Sequence, residues 1–221
     1  SNITAATFVD VTSAVFFGGS ERIEVGSGVT IQGGTGNGSG DGVILTSDTI
    51  NLGDNSDVNT TASSILFEGT NRLNVDFGPG AQASSVGGNI AFNDSGAPTS
   101  INITGGTDGF VSSDSGTGTV ALNGAGNSVS VDINQIDGCV IGSGTTVSVT
   151  TNSTTADLNI GTAAGGTLVS TAGDLDLTSG RNIIYKGSAS ATGGDLNSTT
   201  STTGVTTIND NAGISGNNVN L

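Results

Sequence analysis

The groups that could do chemistry in this 221-residue chain are few, and most of them are aspartates. Sixteen of the nineteen acids are Asp, against the four cations Arg22, Arg72, Arg181 and Lys186, which leaves a net charge of −15. Paired carboxylates could hydrolyse a glycoside, but that reaction needs them in a cleft, with aromatics to stack the sugar. Here the acids sit mostly beside glycine or alternate out of apolar runs, and Trp is absent. The chain has no His, so no imidazole base exists for a Ser or Cys nucleophile, and no Cys/His set exists to hold zinc. Four cations cannot neutralise a run of phosphates, which argues against nucleic acid as a partner. No enzymatic activity is expected.

Calcium is the one cofactor the sequence raises. Gly33-Gly34-Thr35-Gly36-Asn37-Gly38 is close to a calcium β-roll nonapeptide, but Asn37 replaces its Asp and no tandem copy follows. Asp54-Asn55-Ser56-Asp57 begins like an oxygen-rich loop yet lacks the Gly and Glu an EF-hand needs further on. Both read better as turns in which Asn and Asp bond their own backbone. The run from Gly33 to Gly42 lacks the Gly-Lys-Ser/Thr of a phosphate loop and reads as a surface corner. The single Cys139 can make no internal disulfide and reads as a small buried hydrophobe. No cofactor is expected. Seven Asn-x-Ser/Thr sequons, at Asn2, Asn37, Asn59, Asn93, Asn102, Asn152 and Asn197, permit glycosylation without arguing for it, because this chain is so rich in those residues.

The elements that carry these residues are short strands. Apolar-x-apolar runs recur between Gly, Asn, Asp and Ser, as in Ile23-Glu24-Val25, Ile50-Asn51-Leu52, Val129-Ser130-Val131-Asp132-Ile133, Leu158-Asn159-Ile160 and Leu175-Asp176-Leu177. Period-2 alternation over three to five residues means half-buried strands, and no stretch keeps a helical period. Gly makes up 38 of the 221 residues, more than twice its usual ~7 % share. Such short strands cannot bury an apolar face alone. Their centres return with a step near twenty residues, two strong strands to each step, which is the signature of a Gly/Asn-rich parallel β-solenoid. Val131, Ile133, Val149, Ile160 and Leu177 are then expected to stack inward, with Asp132, Asn159 and Asp176 facing solvent. At this step the chain makes a rod roughly 50 Å long. The alternative for an all-β chain of this kind is a β-sandwich or jelly roll with antiparallel pairing.

Regularity varies along the chain. All seven Phe and both Pro fall within residues 1–115, which read as a less regular β region with an aromatic core. Residues 116–187 read as the regular solenoid. Residues 188–221 are rich in Ser, Thr, Asn and Gly and read as a terminal rung, a cap or an exchanged strand.

The stretch Gly173-Asp-Leu-Asp-Leu-Thr-Ser-Gly-Arg-Asn-Ile-Ile-Tyr-Lys-Gly187 resembles a rung of the filamentous-haemagglutinin type of adhesin repeat, as more loosely do residues 156–161 and 118–124. The same phrases also resemble repetitive phage tail-fibre segments. The likeness covers about a third of the chain and implies a right-handed solenoid on a secreted surface fibre, with no catalytic residue to carry over.

The chain opens on Ser1 and shows no signal pattern, as expected of a processed chain. Its longest apolar run, Ala14-Val15-Phe16-Phe17, is far too short for a membrane span. Few lysines, few aromatics and many hydroxyls suit an extracellular or cell-surface protein. The N-terminal segment around Ile3, Phe8, Val9 and Val11 is unusually apolar. It serves either as the first strand of the chain's own sheet or as a strand that pairs with the next subunit, since open solenoid ends are exposed strand edges. The expected function is a structural subunit that assembles head-to-tail with copies of itself into an extracellular filament or surface layer. The alternative is a piece of a long adhesin or phage fibre that binds cell-surface or host glycans.

Overall fold

Alternation of apolar and small polar residues builds three parallel sheets that the chain visits in strict rotation. The computed structural model describes residues 2–3, 8–11, 15–18, 22–34, 40–60, 63–85, 88–92, 100–105, 110–113, 120–124, 130–135, 140–143, 147–151, 154, 157–161, 167–170, 173–210 and 212–221, for several strands in backbone alone. Sheet A comprises β1 (Asn2–Ile3), β4 (Ile23–Val25), β7 (Thr49–Leu52), β10 (Leu73–Phe77), β13 (Ser100–Gly105), β16 (Ser130–Gln135), β19 (Leu158–Ile160), β22 (Ile183–Tyr185) and β25 (Thr206–Ile208). Sheet B comprises β2 (Phe8–Val11), β5 (Thr30–Gly33), β8 (Asp57–Thr60), β11 (Gln82–Ser85), β14 (Phe110–Ser113), β17 (Val140–Ser143), β20 (Thr167–Ser170), β23 (Ser188–Ala191) and β26 (Ile214–Gly216). Sheet C comprises β3 (Val15–Gly18), β6 (Asp41–Thr46), β9 (Ser64–Glu68), β12 (Ile90–Phe92), β15 (Val120–Gly124), β18 (Val147–Thr151), β21 (Leu175–Ser179), β24 (Leu196–Thr200) and β27 (Val219–Asn220).

Each strand pairs in parallel with the strand three places on, for example Val75 of β10 with Ile50 of β7 and Ile103 of β13. The fold is a parallel β-solenoid with no helix among the described residues. The antiparallel sandwich is excluded by this pairing. A turn of the coil takes between 21 residues, from Leu175 to Leu196, and 30, from Ile103 to Ile133, rather than twenty. It also holds three strands rather than two. Sheet B accounts for the difference: β11 reads Gln-Ala-Ser-Ser and β23 Ser-Ala-Ser-Ala, so its apolar alternation is too faint to register in the sequence. Nine strands at about 4.8 Å give a rod about 40 Å long.

The core is a set of columns running up the lumen. Val43, Ile65, Ile90, Val147, Leu175 and Leu196 fill one column of sheet C, all fully buried. Beside it Leu45, Phe67 and Phe92 stack, the two rings at 4.8 Å and nearly parallel. Phe77 of sheet A meets Phe67 edge-on at 6.2 Å. Val149, Ile160 and Leu177 are buried as expected, with Asn159 and Asp176 on the outer side of their strands. The side chains of Val131, Asp132 and Ile133 lie outside the described residues. The same three sheets run from the N-terminal region through residues 188–221, where β23 to β27 extend them.

Sheets A and B meet at a repeated corner: Gly26-Ser-Gly-Val29, Gly53-Asp-Asn-Ser56 and Gly78-Pro-Gly-Ala81. In each, the N–H of the last residue donates to the carbonyl of the first, at 3.3, 3.0 and 2.9 Å. The third residue has positive φ in all three, +69° at Gly28, 54° at Asn55 and +69° at Gly80. This is the type II pattern, with Gly or Asn at the left-handed position and Pro79 at the one before it.

Candidate functional site

The polar residues singled out in the sequence serve these corners. Asp54 and Asn55 belong to a turn, and Asp57 starts β8 with its carboxylate accepting from Asn59 Nδ2 at 2.7 Å. Gly33 and Gly42 lie against one another, since a Cβ on Gly33 would stand 2.3 Å from the Gly42 carbonyl oxygen. Among the described residues, no group of three or more His, Cys, Asp or Glu is placed to hold a metal. No helix is long and apolar enough to cross a membrane, again among the described residues. Of the sequon asparagines, Asn59 bonds Asp57, and Asn197 donates to Asp176 at 2.9 Å. The side chains of Asn2, Asn37, Asn93, Asn102 and Asn152, and Cys139 with its neighbours 136–138, lie outside the described residues.

Side-chain ladders tie each coil to the next. Asn51 Nδ2 donates to Glu24 at 2.9 Å, Asn182 Nδ2 to Asp157 at 2.9 Å, and Arg181 pairs with the same Asp157 at 3.3 Å. Asp48 takes four donors from the following coil: the backbone and side chain of Asn71 and the backbone and hydroxyl of Thr70, at 2.9–3.2 Å. Burial pushes the Asp48 carboxyl up, but these hydrogen bonds together outweigh it and bring its pKa to about 2. Asp57 goes the other way. Burial raises its pKa against the opposing bond from Asn59, and its Oδ1 is buried without a hydrogen-bond partner. Tyr185 crosses the lumen to share a hydrogen bond with Ser198, and burial raises its pKa also.

The four residues expected to mediate assembly stand on the first strands of sheets A and B. Ile3 of β1 pairs with Val25, while Phe8, Val9 and Val11 of β2 pair with Thr30, Ile31 and Gly33 of the same chain. Their side chains lie outside the described residues. At the other end β25, β26 and β27 are the last strands of the three sheets. This coil exposes Val205 (59 %), Ile208 (41 %), Val219 (40 %) and Leu221 (60 %), while Ile214 is partly buried against the core. These large apolar residues gather at one end of the rod.

Sequence reasoning found these residues only as isolated apolar positions in a sparse tail. The signal was present as a repeat: Asp174-Leu-Asp-Leu, Asp195-Leu-Asn-Ser and Asn218-Val-Asn-Leu stand over one another in sheet C. Comparison with protein-family models, curated proteins and solved structures finds no match for the chain. The class that the fold itself defines is a parallel β-solenoid with polar ladders outside and an aliphatic and aromatic lumen.

Proposed function

We propose that the chain is a non-catalytic structural subunit that stacks end to end with copies of itself in an extracellular filament or surface layer. One observation carries this reading. Every described strand pairs in parallel with the strand three places on, so the coil repeats by one rule from β1 to β27. Apolar groups beside unpaired strand edges are the elements of β-strand addition, in which backbone bonds supply affinity and side chains fix register. A contact between unlike ends repeats without closing and gives a filament.

A second reading makes the chain a stretch of a long surface adhesin or phage fibre that binds cell-surface or host glycans. The adhesin-like residues 173–187 favour it. They form β21, β22 and the corners beside them, two of the three strands of a coil, paired as their neighbours are. Sedimentation velocity of residues 1–221 over a range of concentration and salt separates the two. Assemblies that grow with both, and that are lost when residues 1–12 are deleted, support the filament. An intact chain that stays monomeric throughout contradicts it and favours the fibre segment.

A further inference from the structure

No further inference is drawn: the strongest candidate, the apolar column on the outer side of sheet C where Ile44, Leu66 and Ala91 stand over one another, carries nothing, because nothing among the described residues shows what covers it.

Discussion

Ile160 and Asp176 occupy comparable strands but opposite sides of them. Ile160 is 1 % exposed within the lumen, so Ile160→Ala leaves a cavity beside Tyr185 in its column and should cost about 2–5 kcal/mol. Asp176 accepts from Asn197 outside the coil, a role that Asn keeps, so Asp176→Asn should change stability by less than about 0.5 kcal/mol. Denaturant midpoints of the two variants check the register, and equal effects would refute it. Two other aspartates should give opposite pH dependences. Asp48 has a folded pKa of about 2 against an ordinary 3.8, so its contribution is complete above about pH 4 and is lost as pH falls toward 2. Asp57 has a raised folded pKa, so its ionisation weakens the fold as pH rises through and above 3.8. Midpoints measured from pH 2 to 7 should therefore lose their acid-side fall in part in Asp48→Asn. Asp57→Asn should be at least as stable as the parent at pH 7. A parent and Asp48→Asn with identical acid profiles would contradict the hydrogen-bonding assigned to Asp48.

At the scale of the corner and the strand, glycine is required where one coil lies on another. A Cβ on Gly53 would stand 2.7 Å from Ser27 N and 2.8 Å from the Val25 carbonyl oxygen, both backbone, so Gly53→Ala should cost about 1–3 kcal/mol. Asn55 at φ 54° should accept Gly with little change, whereas Asn55→Val should lose about 1–2 kcal/mol, because a branched side chain resists the left-handed region. Thermal melts of the three variants check both. These corners mark what the sequence could and could not disclose. Strands such as Ile50-Asn51-Leu52 and Leu158-Asn159-Ile160 alternate strongly, so their type, their inward faces and the solenoid were all legible. Sheet B was legible only in part, because Ser, Thr, Ala and Gly serve one of its two inward columns, through Gly33, Thr60, Ser85 and Ala191. Thr60 and Ser85 are buried there by bonding the Ser63 carbonyl rather than by apolar packing. A hydroxyl that satisfies a corner looks like loop in a linear sequence. The apolar residues of the last coil were equally hidden, because Val205, Ile208 and Val219 are separated by polar residues in the sequence.

At the scale of the whole molecule, a charge of −15 on a rod about 40 Å long opposes the approach of copies that the proposed assembly requires. Salt shortens the reach of that repulsion to about 8–10 Å at 0.1–0.15 M, so assembly should strengthen as ionic strength rises. A contact held by cross-chain ion pairs would show the reverse trend. Excess chelator should leave the melting temperature unchanged in a coil held by side-chain ladders and lumen packing, and a large drop would reveal structural calcium. The measurement that bears most directly on the end-to-end reading is electron microscopy of residues 1–221 in salt, with helical analysis of any filament. Coils that continue in register across each joint should give unbranched filaments of one solenoid's width. Their axial repeat should be about 43 Å, nine strand spacings. Monomers alone, or lateral sheets without that repeat, would contradict the account.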